Sequence, residues 1–144
     1  MTKTLPTTNR SLPIALLRAR ERVMGPVRAL LSDVDLTEQQ WRVLRVVQES
    51  GAIDPTQIAE QACLLLPSLT RILQKLEDKN MISRTQDERD RRKQVITITP
   101  AGEAIIANNL EASLALVAET RAKMGDDRYE ALLDLLNELD GIEL

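Results

Sequence analysis

The sequence contains no histidine, and this absence removes the commonest catalytic and metal-binding arrangements. Zinc sites that combine cysteine with histidine, and nucleophiles that depend on a histidine base, are excluded. The single cysteine, Cys63, has no partner for an internal disulfide, which fits a reducing compartment. Carboxylates are plentiful, but none forms a pair in an apolar setting, and no phosphate-binding glycine loop or nucleophile motif is present. We therefore expect no enzyme, no metal site and no cofactor.

Aromatic residues are also scarce, since Trp41 and Tyr129 are the only two and phenylalanine is absent. Leucine, isoleucine, valine and alanine supply nearly all the apolar side chains, which favours packed helices. A chain of 144 residues has the length of one domain. Its longest apolar runs are too short to cross a bilayer, and the segment MTKTLPTTNR lacks the apolar core of a signal peptide. A cytoplasmic protein without a membrane partner is expected.

The charges are unevenly distributed along a chain with 19 basic and 22 acidic residues. Residues 1–31 hold six basic side chains and one acidic one, whereas residues 101–144 hold three basic and ten acidic ones. Residues 68–100 hold eight basic and five acidic side chains. The acidic average therefore conceals a local basic surface of the kind that binds polyanions.

The first half of the chain predicts helices with clear start signals. Apolar residues recur at steps of three or four over residues 12–31, which indicates one amphipathic helix, and Pro26 inside it predicts a kink. Thr37 and Gln40 have the spacing of a capping box and predict the start of a second helix. Asp54, followed by a proline, predicts the N-cap of a third helix.

The second half begins with a fourth helix, which we expect from Pro67 to Asn80, where asparagine takes the left-handed C-terminal position. Two β-branched segments, residues 82–85 and 94–99, then predict a hairpin whose turn is the charged run between them. A helix from Thr99 to the region of Gly125 and a last helix complete the chain. The predicted fold class is mainly α with a small β-hairpin.

Two short helices followed directly by a charged hairpin are typical of a winged helix-turn-helix, which we assign to residues 37–99. The fourth helix presents hydroxyl, amide and guanidinium groups, which are the groups that reach base edges and phosphates in the major groove. An ordinary exposed helix face is the alternative interpretation. The predicted DNA contacts of this helix are Ser68, Thr70, Arg71, Gln74 and Lys75.

The hairpin tip carries Arg89, Arg91 and Arg92, which can lie along the DNA backbone with one arginine in the minor groove. Asp90 is expected to hold the Arg92 guanidinium in one direction through a charge-assisted pair, which lowers the cost of ordering it. Taken alone, a charge run of this kind is usually a solvated turn with mutual salt bridges. Its position after two helices favours DNA binding.

The tip sequence DERDRR, residues 87–92, resembles the D-x-R-D-x-R wing signature of the MarR family of winged-helix transcriptional regulators. The sequence ITPAG, residues 98–102, resembles the family's usual exit from the wing. Residues 15–21, 36–42 and 63–70 are similar to the subgroup that represses homoprotocatechuate (4-hydroxyphenylacetate) degradation operons. The resemblance spans nearly the whole chain.

This resemblance implies a single domain over residues 1–144 that forms a homodimer through helices in residues 12–31 and 101–140. The apolar faces of those helices agree, because a small winged helix offers them no obvious partner. The two recognition helices of such a dimer are expected about one turn of DNA apart, roughly 34–36 Å. A pseudo-palindromic operator in double-stranded DNA follows.

The resemblance also implies a repressor that is released by a small aromatic acid. Arg20, Trp41 and Arg42 are predicted for the effector pocket, because such a ligand needs a guanidinium for its carboxylate and an aromatic face for its ring. Two interpretations stay open for both arginines, since each can instead pair with Glu21, Glu38 or the acidic C-terminal helices. Trp41 also has the spacing of a core residue.

Two further expectations concern Cys63 and the alternative function. Cys63 lies in an apolar run, so we expect a buried, inert thiol and not a redox sensor. The alternative to a repressor of an aromatic-acid catabolic operon is a winged-helix protein-interaction module without sequence-specific DNA binding. The acidic average allows this module, whereas Arg71, Lys75 and the arginines of the hairpin argue against it.

Overall fold

The computed structural model describes residues 2–144, which form helices and one small sheet, as the sequence predicts. No helix in this part of the chain combines the length and apolarity needed to cross a membrane. A short 3-10 helix, Thr8–Arg10, precedes the other elements. These are α1 Leu12–Ser32, α2 Glu38–Ser50, β1 Ala52–Ile53, α3 Pro55–Gln61, α4 Leu66–Asp78, β2 Ile82–Gln86, β3 Gln94–Ile98, α5 Pro100–Asn108, α6 Leu110–Met124 and α7 Asp126–Asp140.

The start of α2 confirms the predicted capping box. The backbone N–H of Gln40 donates to the Thr37 hydroxyl at 3.1 Å, and the Thr37 N–H donates to the Gln40 side-chain oxygen at 3.2 Å. Two N–H groups that the first helical turn leaves unpaired are thereby satisfied. Gly51 ends the helix with a φ of +80°, a conformation that costs glycine little.

The other predicted helix signals of the winged helix are also confirmed. The Asp54 carboxylate accepts a hydrogen bond from the Gln57 N–H at 2.9 Å, which caps α3. Asn80 has a φ of +59° just after α4, as expected for a left-handed position. The Thr99 hydroxyl accepts from the Gly102 N–H at 3.1 Å and so caps α5. Residues close to each helix end in the sequence therefore determine where these helices begin and end.

The sheet has the strand order β1-β3-β2, and both pairings are antiparallel. The β2–β3 hairpin matches the prediction, with Ile82 opposite Ile98 and Gln86 opposite Gln94. β1 was not expected from the sequence, since two residues are too few to show an alternating pattern. It forms because Ile53 pairs with Ile96 and buries its side chain.

The described residues form two compact units, one ending at Asn108 and one from Asn109 to Leu144. The first unit holds the hydrophobic core, to which α2, α3, α4 and the sheet all contribute. Burying one such side chain contributes about 1.5–3 kcal/mol. The largest fully buried side chains are Leu31, Leu44, Ile58, Leu69, Leu73, Leu76, Ile82 and Ile96.

α5 belongs to the first unit, since Ile106 is part of this core and α5 packs against α2. The close approach of α5 to the sheet depends on Gly102. A Cβ at this position would meet the Met81 carbonyl oxygen and lie 2.7 Å from Cγ1 of Ile98. A side chain is therefore excluded where α5 leaves the hairpin.

α1 shows a different pattern of burial from the core helices. It continues through Pro26 and buries only Leu31, near its C-terminal end. Leu12 and Val23 are more than half exposed and Leu16 is 39% exposed, although their spacing is that of a packed face. This face has no cover in the single chain.

The second unit consists of α6 and α7, and neither helix has a buried residue. One helix had been expected from Thr99 to Gly125, but the structure divides it at Asn109 into α5 and α6. The α6–α7 turn is held by Arg121, which pairs with Asp126 at 3.6 Å and with Glu130, and lies over the Tyr129 ring at 4.4 Å.

Candidate nucleic-acid interface

The outward face of α4 is fixed by what its inward face buries. Leu69, Ile72, Leu73 and Leu76 occupy the core at steps of three and four, so the helix cannot rotate without exposing them. The predicted DNA contacts lie on the other face. Ser68 is half-buried, whereas Thr70, Arg71, Gln74 and Lys75 are exposed.

The polar groups on this face are not equally available. Thr70 donates its hydroxyl hydrogen to the Leu66 carbonyl at 3.0 Å, and Gln74 donates to Asp78 at 2.9 Å. Neither the Arg71 nor the Lys75 side chain has a hydrogen bond or ion pair to another residue between positions 2 and 144. The two cations are therefore free to meet phosphates or bases, whereas Gln74 must first leave Asp78.

A shallow depression of about 210 Å³ lies between the first turn of α2 and the exposed face of α4. Sequence reasoning did not include α2 in the interface, although the capping box had placed its first turn. Amide groups, two cations and a helix N-terminus together suit a phosphate oxygen. The depression is lined by Gln39, Gln40, Ser68, Arg71, Ile72 and Lys75.

The tip of the hairpin is an ordered turn in which aspartate carboxylates accept hydrogen bonds from backbone N–H groups. Asp87 accepts hydrogen bonds from the N–H groups of Arg89 at 2.7 Å and Asp90 at 3.3 Å. The Asp87 N–H donates to the Lys93 carbonyl at 3.0 Å, and the Lys93 N–H donates to the Asp90 carbonyl at 2.9 Å. The arginines thus project from a closed turn rather than from a loose loop.

Arg92 is oriented as the sequence predicted. Its backbone N–H donates to Oδ1 of Asp90 at 3.1 Å, and its Nε donates to the same oxygen at 3.3 Å. The Arg92 side chain is nevertheless 92% exposed, so its outer N–H groups face solvent. Arg89 and Arg91 are exposed as well. The tip therefore offers three exposed guanidinium groups, of which that of Arg92 is oriented by Asp90.

Arg20 is predicted for the effector pocket, but in the structure it pairs with Glu21 and Glu38, as the alternative interpretation proposed. It contacts Glu38 at 3.0 Å and Glu21 at 3.5 Å, and Arg28 contacts the same two carboxylates at 3.4 and 2.9 Å. The hydrogen bond from Arg28 holds the pKa of Glu21 below its usual value. This network joins α1 to the first turn of α2.

Trp41 and Arg42, the other two predicted pocket residues, lie on that same helix. Trp41 is half-buried and packs against the core, as its helical spacing indicated. Arg42 is half-buried too, and its Nε is shielded from solvent without a hydrogen-bond partner. The ion pair with Glu38 thus brings Arg20 to α2, the helix that carries Trp41 and Arg42.

The prediction of a buried Cys63 is wrong. The thiol is exposed and follows α3 at a residue with a φ of +54°. The apolar run around it had suggested burial, but Cys63 lies in the turn between α3 and α4, where the backbone directs its side chain outward. Leu65, the N-cap residue of α4 at the end of the same turn, is 77% exposed.

These features define a winged helix-turn-helix protein: an exposed basic helix on a packed scaffold, followed by an arginine-tipped hairpin. The MarR family model matches residues 36–94 of the chain. The chain also resembles individual regulators over nearly its whole length, so the family is clear.

The chain is 35% identical over 144 residues to the HTH-type transcriptional regulator FarR of Neisseria gonorrhoeae, which covers 96% of this chain and 97% of FarR. It is 36% identical over 128 residues to the homoprotocatechuate degradative operon repressor of Escherichia coli, with coverages of 89% and 86%. The structure of NadR in complex with 4-hydroxyphenylacetate matches with a TM-score of 0.87 at 34% identity, covering 99% of this chain and 100% of NadR.

The chain therefore belongs to the MarR family, and the resemblance found in the hairpin tip is confirmed. Members of this family are DNA-binding transcriptional regulators that act as dimers, and they are not enzymes. The protein is accordingly a transcriptional regulator. The roles of its individual residues stay predictions.

Proposed function

We propose that this regulator is a dimeric repressor of an aromatic-acid catabolic operon and is released by a small aromatic carboxylate. The observation that carries the proposal is the oriented Arg92 at the hairpin tip, together with the unpaired Arg71 and Lys75 on α4. Relatives at 34–36% identity support the ligand class, because one represses a homoprotocatechuate operon and another binds 4-hydroxyphenylacetate.

On DNA, α4 enters the major groove and the hairpin tip follows the backbone to the adjacent minor groove. Arg71 and Lys75 are free cations and reach bases or phosphates without first breaking an internal pair. Arg92 enters the minor groove, where the potential is most negative over narrow A·T tracts. Asp90 fixes the Arg92 guanidinium beforehand, which reduces the entropy lost on binding.

The dimer is formed by the apolar faces that the single chain leaves exposed on α1, α6 and α7. A twofold arrangement covers each face with its counterpart and presents two copies of α4 to one side of the DNA. Their spacing is expected to match one helical turn, roughly 34–36 Å. The operator is then pseudo-palindromic.

The effector is proposed to bind beside Arg20, Trp41 and Arg42. Its carboxylate replaces Glu38 on the Arg20 guanidinium, and its ring lies against Trp41. Since Glu38 is the first residue of α2, releasing it from Arg20 loosens the contact between α1 and the winged helix. Ligand binding and DNA binding then favour different arrangements of the same helices.

The proposal is tested by fluorescence anisotropy with a labelled duplex from upstream of this protein's own gene and a shuffled duplex of equal composition. Selective binding that weakens from 50 to 200 mM salt indicates phosphate contacts that release counterions. Added 4-hydroxyphenylacetate or homoprotocatechuate is expected to release the duplex. Equal, salt-insensitive binding of both duplexes would instead indicate the protein-interaction module.

The matched variants are Arg92→Ala at the tip and Arg128→Ala on α7, which remove the same charge at different places. Arg92→Ala is expected to weaken operator binding by about 1–3 kcal/mol, or roughly 5- to 150-fold, with the dimer intact. Arg128→Ala is expected to change affinity less than twofold. Equal affinities of the two variants would remove the minor-groove role.

A further inference from the structure

Arg84 occupies a position on the hairpin where an apolar side chain is expected. It lies directly opposite Ile96, whose side chain is fully buried, and two residues after the buried Ile82. Since side chains alternate between the faces of a strand, Arg84 points to the same inner face as these two residues. Its side chain is only 18% exposed.

The contacts of Arg84 reach the recognition helix. Its Nε lies 3.6 Å from Oε2 of Glu77, which belongs to the last turn of α4. Nε and one terminal nitrogen of Arg84 are shielded from solvent and have no hydrogen-bond partner. A guanidinium held in this way costs folding free energy, so an apolar residue of the same size would stabilise the fold more.

We infer that Arg84 is a positioning residue for DNA binding, and the inference rests on the proposed function. Its ion pair with Glu77 fixes the tilt of the hairpin relative to α4. When α4 lies in the major groove, that tilt brings Arg92 to the minor groove. Arg84 thus costs folding free energy, but it fixes the geometry between the two DNA-contacting elements.

The contact at the hairpin base acts on the tip because paired strands join the two. A strand rises roughly 3.3 Å per residue, and β2 continues for two residues beyond Arg84, so the closed turn begins about 7 Å further along. A tilt of about 10° at the base then moves the start of the turn by about 1 Å, and Arg92, which lies beyond it, by more. A shift of this size misaligns a hydrogen bond from Arg92 to the DNA while α4 stays in place.

A fixed point already exists one step nearer the base. The Thr99 N–H donates to the Met81 carbonyl at 3.0 Å, and its hydroxyl donates to the Asn80 carbonyl at 2.6 Å. These bonds hold the start of β2 and the end of β3, and β1 pairs with β3 at Thr97 and Ile96. The Glu77–Arg84 pair adds a contact between β2 and the last turn of α4, which ties the direction of the hairpin to that helix.

A direct contact between Arg84 and a phosphate does not fit the structure. Two of its nitrogens are shielded on the inner face of the hairpin, and the Glu77 carboxylate beside them repels an anion. Arg84 therefore acts through the hairpin. This distinguishes it from Arg71 and Lys75, which are exposed and unpaired.

The test is a double-mutant cycle on operator affinity with Arg84→Met and Arg92→Ala, alone and together. Methionine keeps the length of the side chain and suits the apolar surroundings. Arg84→Met is expected to weaken binding about tenfold in the wild-type background and less than twofold in the Arg92→Ala background. Without the guanidinium of Arg92, a tilted hairpin has no groove contact left to lose.

A second pair of variants keeps the test valid should Arg84→Met fold poorly. Glu77 is 39% exposed, so Glu77→Gln is expected to fold normally and to weaken binding in the same background-dependent way. Exchanging the charges with Glu77→Arg and Arg84→Glu together is expected to restore most of the affinity. Dimerisation and the urea midpoint serve as controls for folding.

The outcomes separate this inference from the proposed function. Equal losses in both backgrounds, or no loss for either Arg84→Met or Glu77→Gln, overturn the positioning role and leave the repressor proposal standing. A wild-type protein that binds no duplex selectively overturns both. An Arg92→Ala variant with unchanged affinity overturns the positioning role of Arg84 together with the minor-groove role of Arg92, and leaves the repressor proposal standing.

Discussion

α4 and α7 carry the same kind of apolar pattern, yet only one of them is covered by its own chain. Each has leucine or isoleucine at steps of three and four, the spacing of one helical face. The four such residues of α4 are buried, whereas on α7 Leu132 is 41% exposed and Leu135 is 63% exposed. Periodicity thus shows that a face is to be covered, but not by which chain.

The contrast divides the molecule by function as well. The winged helix, assigned to residues 37–99, contributes most of the hydrophobic core, so the surface proposed to contact DNA lies on the packed part of the chain. α6 and α7 bury no residue, and α1 buries only Leu31. Exposed apolar faces of this extent mark an interface. The comparison predicts that substitutions on α7 change the dimer dissociation constant, whereas substitutions in the core of the winged helix change the free energy of unfolding.

The largest effect is expected for Leu132→Glu combined with Leu135→Glu on α7. A twofold interface would then bury four carboxylates, and the dimer dissociation constant should rise at least about a thousandfold, or ~4 kcal/mol. Sedimentation velocity over a range of concentrations measures this change. Leu5→Glu, at a leucine that is 92% exposed outside the helices, is the control. A double variant that stays dimeric would show that α7 does not form the interface.

A smaller effect, on stability, is expected for Leu73→Ala on the buried face of α4. The side chain is 1% exposed, and its truncation leaves a cavity, so the free energy of unfolding should fall by about 3 kcal/mol. Urea denaturation at fixed protein concentration measures it. Leu5→Ala should cost less than about 0.5 kcal/mol. Equal costs at the two sites would contradict the assignment of the core.

Thr37→Ala should destabilise the winged helix by about 1 kcal/mol, since it removes the capping box of α2. Thermal unfolding followed by circular dichroism measures the change. The matched control is Thr56→Ala in the first turn of α3, which leaves the Asp54 cap in place. Thr37→Ser should restore most of the loss, and failure to do so would argue against the cap as the cause.

The smallest effect is expected for Glu21→Gln, at the ion-pair network between α1 and α2. Hydrogen bonds from Arg28 at 2.9 and 3.0 Å lower the pKa of Glu21 from its usual 4.5. A lowered folded pKa means that this stabilisation is fully present above pH 4.5 and is lost as the pH falls through the folded value.

The variant should therefore be slightly less stable than wild type at pH 7 and nearly equal to it at strongly acidic pH. Urea midpoints across that range measure the difference, which salt should reduce because the pair is exposed. Glu143→Gln is the control, since no such hydrogen bonds hold its carboxylate. A difference that is independent of pH would exclude the ion pair as its cause.

Features of the fold that depend on neighbouring residues in the chain could be predicted from sequence. The capping box at Thr37, the cap at Asp54, the left-handed Asn80 and the hairpin strands all follow from chemistry within a few residues. β1 could not be predicted, because only pairing with β3 makes it a strand. The break at Asn109 also escaped prediction, since neither glycine nor proline marks it.

The same distinction applies to the candidate site. Arg92 and Asp90 are two residues apart, so their pair was visible in the sequence and is present in the structure. The Glu77–Arg84 pair joins two elements, and only packing brings its members together. Cys63 was misjudged because hydrophobic neighbours indicate burial on average, whereas a turn with positive φ overrides that average.

The hydrogen bonds that close the turn at Asp87 and Lys93 have a consequence for engineering. They separate the tip from a frame that Thr99 holds independently at the other end of the hairpin. Residues 88–92 can therefore be replaced without redesigning the strands. Variants with new operator preferences could then be selected from libraries in which these five positions are randomised and the rest of the sequence is kept.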